Sequence, residues 1–200
     1  MEFRRLVVGP LRTNAYIALA DGEGAIIDPG EAVPLLAEAW ADHALRYILL
    51  THGHFDHADG AEALHVRTGA PILYHPDEKS TFWTMGRQPP PLAQPLADGD
   101  RLPLGREELF VWHLPGHSPG SVAYLWEKGK VAAVGDVLFA RSVGRSDLPG
   151  GSWDALVRSL RRLLALDDAW RILPGHGPAT HMGREREQNP YLRELGDARP

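Results

Sequence analysis

The chain contains no cysteine, which excludes a disulfide framework and any metal site built on thiolates. Positive charge is not in excess either, since the chain has 21 Lys and Arg residues and 26 Asp and Glu residues. A nucleic-acid surface carries a basic patch, so we expect no nucleic-acid partner. The first residues lack the apolar segment of a signal peptide, and no apolar run reaches the roughly 20 residues that span a membrane. We therefore expect a cytoplasmic protein with no membrane partner.

The 200 residues, of which 44% are hydrophobic, suffice for one domain with a substantial core. Apolar runs bounded by Gly and Pro turns predict strands. These strands are expected at residues 4–8, 15–20, 25–28, 47–50, 109–114, 122–126, 131–134 and 170–173. Because helical segments alternate with them, the sequence predicts a single α/β domain over residues 1–200.

Apolar residues have helical spacing in three segments. They predict helices over residues 31–43 and 58–68, and a strongly amphipathic helix for which Ser152 is the expected N-cap. The buried face expected for that last helix consists of Trp153, Leu156, Val157, Leu160, Leu163 and Leu164. Three consecutive prolines at residues 89–91 predict a loop.

The densest chemical signal is the segment His52-Gly53-His54-Phe55-Asp56-His57, which directly follows the strand predicted at residues 47–50. Imidazole and carboxylate groups are ligands that suit zinc, iron and manganese. So many ionisable side chains in one turn are costly unless a cation neutralises and orients them. The segment therefore predicts a transition-metal site.

Three later segments place another metal-competent side chain at a strand end, inside a glycine-rich turn. They are Pro115-Gly116-His117, Gly135-Asp136 and Pro174-Gly175-His176. Glycine lets the backbone turn sharply there, so that the neighbouring side chain reaches the rim of a sheet. Because the first segment cannot complete two coordination shells, we expect these three side chains to complete them.

The pattern H-x-H-x-D-H, followed by a later His, Asp and His, resembles the ligand set of the metallo-β-lactamase superfamily over nearly the whole chain. Within it, the sequence is similar to a short form of the glyoxalase II (hydroxyacylglutathione hydrolase) branch, notably at residues 142–151, 183–186 and 189–190. The resemblance implies a four-layer αββα sandwich, with two mixed β-sheets flanked by helices. The helical C-terminal extension of full-length glyoxalase II is not expected, because only about two dozen residues follow His176.

The same resemblance implies two divalent transition-metal ions per chain, with zinc, iron and manganese as the candidates. It assigns His52, His54 and His117 to the first ion, Asp56, His57 and His176 to the second, and Asp136 to both. Asp56 and Asp136 are the expected catalytic residues. Such a metal pair lowers the pKa of a bridging water, so that a hydroxide nucleophile forms at neutral pH while a carbonyl is polarised.

Several reactions are compatible with this ligand set. Hydrolysis of a small anionic thioester is the first hypothesis. The second is oxidation by a single iron ion, because the persulfide dioxygenases share a Gly-Arg-Thr-Asp stretch similar to residues 144–147. Phosphodiester or RNA hydrolysis and lactone hydrolysis are further alternatives, and the acidic balance counts against nucleic-acid substrates. Lactamases that use a cysteine ligand are excluded.

Arg145 is a candidate for binding a substrate carboxylate, because its planar guanidinium matches a carboxylate with two hydrogen bonds. It is equally suited to bracing its own loop through Asp147. Arg141 is a weaker candidate for substrate binding. No feature of the sequence indicates an oligomeric state.

Overall fold

The computed structural model describes residues 1–31, 36, 38, 40 and 42–197. In these residues, strands belong to two six-stranded sheets and one two-stranded hairpin. Most of the helix predicted over residues 31–43 lies outside the described residues.

The first sheet has the strand order β1-β2-β3-β4-β5-β6. The neighbours from β1 to β3 pair antiparallel, and those from β3 to β6 pair parallel, so the sheet is mixed. Its strands are β1 Glu2–Val8, β2 Thr13–Ala20, β3 Glu23–Ile27, β4 Ala44–Leu49, β5 Ile72–Tyr74 and β6 Gln94–Pro95.

The second sheet has the order β14-β13-β10-β9-β8-β7 and is also mixed, because β10 and β13 are parallel while the other neighbours are antiparallel. Its strands are β7 Arg101–Leu104, β8 Glu107–His113, β9 Val122–Trp126, β10 Val131–Gly135, β13 Arg171–Pro174 and β14 Thr180–His181. The separate hairpin consists of β11 Leu138–Phe139 and β12 Ser142–Val143.

The helices of the described residues are α1 Phe55–Ala58, α2 Ala61–Thr68, α3 Glu78–Thr84, α4 Trp153–Leu163, α5 Met182–Gln188 and α6 Pro190–Asp197, with a short 3-10 turn at Glu127–Gly129. In this part of the chain, no helix is long and apolar enough to cross a membrane. Ser152 is the N-cap of α4 as predicted, because its Oγ accepts a hydrogen bond from the Ala155 N–H at 3.3 Å.

The helix predicted over residues 58–68 is confirmed at its carboxyl end but begins later, at Ala61, because Asp59 and Gly60 separate α2 from α1. Gly60 passes so close to the chain after β3 that a Cβ atom there would lie 2.5 Å from the Pro29 carbonyl oxygen. This close backbone approach fixes the loop that carries α1 against the first sheet.

Strand β2 illustrates how the layers stack. It is buried along its whole length, and its side chains alternate between two apolar clusters. Tyr16 and Ala18 contact the second sheet, while Ala15 and Ile17 belong to the cluster that also contains Ala58 of α1 and residues of α2 and α3. Both faces of the strand are therefore covered, as expected for a sheet inside a layered α/β fold.

A third apolar cluster lies on the outer face of the second sheet, where Leu160 of α4, Met182 of α5 and Leu192 of α6 pack against Ala132 and Ile172. Helices therefore cover the outer face of each sheet, and the two sheets pack against each other, so the fold has four layers. The predicted αββα sandwich with two mixed sheets is confirmed.

The buried face predicted for α4 is correct only in part. Leu156, Leu160 and Leu163 are fully buried, but Trp153 in the first turn is 46% exposed. Its ring lies at the side of the helix against Tyr191 of α6, with the ring centroids 6.1 Å apart.

We predict that Leu160→Ala destabilises the protein by about 2–5 kcal/mol, because it leaves a cavity under α4. The matched control is Arg158→Ala on the exposed face of the same helix, which should change the free energy of unfolding by less than about 0.5 kcal/mol. Urea unfolding measures both. Equal effects of the two substitutions would contradict this packing of α4.

Candidate metal centre

The predicted metal-binding segments follow the carboxyl ends of β4, β8, β10 and β13. The first sheet supplies residues 52–57, and the second sheet supplies His117, Asp136 and His176. A backbone hydrogen bond from the Val122 N–H to the Thr51 carbonyl, at 2.8 Å, joins the two sheets beside these segments. The candidate ligands of this centre therefore come from both sheets.

Two groups of potential ligands lie side by side at this edge. The imidazoles of His52, His54 and His117 form the first group, and all three are buried. His54 Nδ1 lies 2.9 Å from His117 Nε2, a spacing that two ligands of one ion would have.

The second group consists of Asp56, His57 and His176. Oδ2 of Asp56 lies 3.4 Å from His57 Nε2 and 3.2 Å from His176 Nε2. The structure therefore brings the remaining predicted ligands of the second ion together as well.

Asp136 lies between the two groups. Its Oδ1 is 3.5 Å from His57 Nε2, and its Oδ2 is 3.7 Å from His117 Nε2 and 3.6 Å from His176 Nε2. One carboxylate thus faces ligands of both groups, which is the position predicted for a bridge.

Buried polar atoms in this centre are without hydrogen-bond partners. Nε2 of His52 and Oδ1 of Asp136 are both buried, and neither makes a hydrogen bond among the residues described. An unpaired buried polar group costs about 1–3 kcal/mol, and a bound cation would remove that cost. Nitrogen and oxygen donors without sulfur fit zinc, iron or manganese.

The protonation of the histidines differs between the two groups. Burial lowers the pKa of His54 to about 4 and that of His117 to about 3, so both are neutral at pH 7, the form that binds metals. Burial also opposes the charge on His57, but the carboxylates of Asp136 and Asp28 outweigh it and raise the pKa to about 9. His57 would therefore lose a proton when it binds a metal.

Hydrogen bonds to the second ring nitrogen orient two of these histidines. His117 Nδ1 lies 2.8 Å from the Arg145 carbonyl, and His57 Nδ1 lies 2.9 Å from Oδ2 of Asp28. When each Nδ1–H donates to its oxygen, the Nε2 lone pair points into the centre. Asp28 is fixed in turn by the N–H and the hydroxyl of Thr51, at 2.7 and 2.6 Å.

Sequence reasoning missed Asp28, although a signal was present. Asp28 follows a predicted strand and precedes Pro29-Gly30, which is the same strand-end setting as that of the predicted ligands. Its backbone has φ 53°, a left-handed conformation that Asp adopts more readily than most residues other than glycine.

Glu78 joins the two ligand-bearing loops of the first group. Its buried carboxylate accepts hydrogen bonds from the Gly53 N–H and the Gly120 N–H, both at 2.7 Å, and from the Ser118 hydroxyl. It therefore connects the loop of His54 to that of His117. No sequence pattern singled out Glu78, because its partners lie about 25 and 40 residues away.

Gly175 packs directly against the centre. A Cβ atom at this position would lie 2.1 Å from Oδ1 of Asp136 and 2.6 Å from Cε1 of His57. The absence of a side chain at this strand end is what lets the two ligand groups approach each other.

The side chain of Arg145 makes the loop brace that the sequence analysis described. Its Nε and Nη2 donate to the two carboxylate oxygens of Asp147, both at 2.8 Å. Arg141 has φ 62°, and its N–H donates to Glu185 Oε2 at 2.7 Å. A substrate-binding role for either arginine stays a prediction.

Residues 8–176 match the model of the metallo-beta-lactamase superfamily. The chain belongs to this superfamily. Its Asp-containing HxHxDH segment and the later His, Asp and His all fall within the matched range, with His176 as the last residue.

Curated relatives align with almost the whole chain. The probable metallo-hydrolase YqgX of Bacillus subtilis is 36% identical, and the alignment covers 96% of this chain and 98% of that protein. The hydroxyacylglutathione hydrolase GloC of Haemophilus influenzae is 37% identical, with 96% and 98% coverage. Both of these relatives are named as hydrolases.

Solved structures of the superfamily are also similar to this chain over almost its whole length. The BLEG-1 B3 metallo-beta-lactamase has a TM-score of 0.88 and 35% identity, covering 96% of this chain and 99% of that one. A di-iron-bound form of TTHA1623 has a TM-score of 0.84 and 39% identity, covering 94% of this chain and 100% of that one. ETHE1 from Myxococcus xanthus has a TM-score of 0.84 and 27% identity, covering 100% of this chain and 92% of that one.

We predict that Glu78→Gln weakens metal binding, because an amide nitrogen cannot accept a hydrogen bond from a backbone N–H and the loops of His54 and His117 would separate. The affinity should fall about 10–100-fold, as for other groups that support metal ligands indirectly. Metal content after dialysis against a graded chelator measures this. The exposed Glu62→Gln in α2 is the control, and equal metal retention by both variants would contradict the role of Glu78.

Proposed function

We propose that the protein is a dinuclear metal-dependent hydrolase that cleaves thioesters. The observation that carries this proposal is the position of Asp136, whose carboxylate faces both ligand groups at 3.5–3.7 Å. Two divalent ions, when bound, would supply a water that is deprotonated at neutral pH and a Lewis acid for the substrate carbonyl.

The proposal gives each residue of the centre a role. His52, His54 and His117 hold the first ion, Asp56, His57 and His176 hold the second, and Asp136 holds both. Asp28 and the Arg145 carbonyl orient the rings of His57 and His117. The hydroxyl of Thr13 donates to Oδ2 of Asp56 at 2.7 Å and fixes that carboxylate.

Thioester hydrolysis is supported by the likeness to GloC, which is named as a hydroxyacylglutathione hydrolase and aligns over 96% of this chain. In that reaction class, water attacks the acyl carbon, the C–S bond breaks, and the thiolate takes up a proton. No redox partner is needed. Closely spaced cations are suited to such a reaction because charge develops on the acyl oxygen.

A second candidate is persulfide oxidation with one iron ion, because residues 144–147 are similar to the Gly-Arg-Thr-Asp stretch of the persulfide dioxygenases. Such a site would use His and Asp ligands of the same centre and leave positions open for oxygen. Hydrolysis is preferred because GloC, which is 37% identical to this chain, is named as a hydrolase.

We predict that Asp136→Ala releases at least one ion per chain, since two adjacent cations would then repel each other without the shared carboxylate. Metal quantification on protein purified from metal-supplemented medium checks this. The exposed Asp154→Ala in α4 is the control and should keep the wild-type content. If Asp136→Ala retained both metals and its activity, the shared-ligand assignment would be wrong.

A metal-exchange experiment separates the two candidate reactions. Hydrolysis requires no change of oxidation state, so the zinc, manganese and iron forms should all hydrolyse S-lactoylglutathione, with kcat values within about tenfold of one another. A dioxygenase needs iron. Oxygen uptake by the iron form with glutathione persulfide, together with inactive zinc and manganese forms on thioesters, would overturn the hydrolase proposal.

A further inference from the structure

A cavity of about 330 Å³ opens beside the candidate metal centre and is lined by His176 together with Arg5 and Arg12. The side chain of His176 is 30% exposed, whereas those of Asp56 and Asp136 are 12% and 11% exposed. The cavity therefore reaches the centre at its most accessible histidine.

The hairpin turn that carries Arg12 is fastened to the centre by its next two residues. The Thr13 hydroxyl donates to Asp56, and a backbone bridge joins Thr13 to His176. The Asn14 N–H donates to the Gly175 carbonyl at 2.7 Å. The position of the Arg12 backbone relative to the second ligand group is thus fixed.

Neither guanidinium forms an ion pair within the described part of the chain. Arg5 Nη1 donates to the Gly177 carbonyl at 3.2 Å, next to His176, and the Arg12 side chain makes no hydrogen bond there. Arg145, by comparison, is already bonded to Asp147 through two hydrogen bonds. Two cations without a carboxylate partner at the mouth of a metal site favour an anionic ligand.

The backbone of Arg12 is left-handed. It has φ 56°, and its N–H donates to the Gly9 carbonyl at 3.1 Å. Glycine adopts this conformation at lower cost than any other residue. Because this backbone suits glycine, replacement of Arg12 by glycine removes the guanidinium without adding strain.

We propose that Arg12, with Arg5 beside it, binds the carboxylate of an acidic thioester on the His176 side of the centre. The proposal rests on the hydrolase function proposed above and names the substrate class. Val7 and Leu11, 36% and 51% exposed, line the same cavity and offer apolar contact to the carbon chain next to that carboxylate. The cavity has the volume of a small-molecule site.

The decisive variant is Arg12→Gly, because glycine suits the left-handed backbone and removes only the guanidinium. We expect its KM for S-lactoylglutathione to rise about tenfold, the loss of one charge-assisted hydrogen bond. The kcat should stay within about twofold, and the melting temperature should be unchanged or higher. With the diethyl ester of the same thioester, whose carboxylates are blocked, wild type and variant should have equal KM values.

Lys130→Gly is the matched control. Lys130 also has a left-handed backbone, with φ 50°, and its loss changes the net charge equally, but it precedes β10 at the strand end opposite to Asp136. This control should leave KM unchanged. Arg12→Lys should restore part of the affinity, because it keeps the charge without the planar fork. An equal rise in KM for both substrates, or a lower melting temperature with unchanged KM, would overturn the assignment.

A binding measurement distinguishes failure of this proposal from failure of the hydrolase function. S-methylglutathione carries the carboxylates but no thioester, so its binding to the metal-loaded protein requires no turnover. Calorimetry should show a dissociation constant about tenfold higher for Arg12→Gly than for wild type or Lys130→Gly. Equal dissociation constants for wild type and Arg12→Gly would overturn the anion site even if thioesters are hydrolysed. Undetectable binding by both proteins would overturn it as well.

Discussion

Buried hydrogen bonds that join the two sheets are the constraint on which the candidate metal centre depends. The Tyr124 hydroxyl donates to the Leu50 carbonyl at 2.8 Å, and the Tyr16 hydroxyl donates to the Pro174 carbonyl at 2.7 Å. Each bond runs from a residue between the sheets to the end of a strand in the opposite sheet. Because residues 52–57 follow a strand of one sheet and the other three candidate ligands follow strands of the second, a small shift between the sheets would separate the two groups of candidate ligands. Burial of these polar groups carries little free-energy penalty, because each donor has an acceptor.

Burial has opposite consequences at different points of the same centre. It keeps His54 and His117 neutral, which prepares them for a metal. At His57 the adjacent carboxylates outweigh burial and favour the charged ring. The charged His57 ring therefore compensates part of the negative charge of the adjacent carboxylates, and a cation that binds there would replace the proton.

The fold class and the segments that meet at the candidate centre were predictable because their signals are local. A strand end, a glycine turn and a metal-competent side chain are neighbours in the sequence, and the later geometry brings all such segments to one edge. Glu78 and the contact of Thr13 with Asp56 were not predictable, because they join residues about 40 apart in the chain. The break at Gly60 has the same origin, since it depends on the approach of Pro29.

Short elements were missed for a different reason. Strands β5 and β6 have three and two residues, too few for periodicity to indicate a structure. Trp153 was assigned to the buried face of α4 by spacing alone, whereas the packing of α6 leaves its ring at the surface beside Tyr191.

Gly175 has a consequence for how the gene can vary. A methyl group at this position would overlap the carboxylate of Asp136, so replacement by alanine, the smallest possible change, is expected to be as harmful as loss of a ligand. A saturation screen for inactive alleles would then score a residue without any side chain alongside the histidines and aspartates. Tolerance to mutation at this edge is set by the space between the ligands as much as by their chemistry.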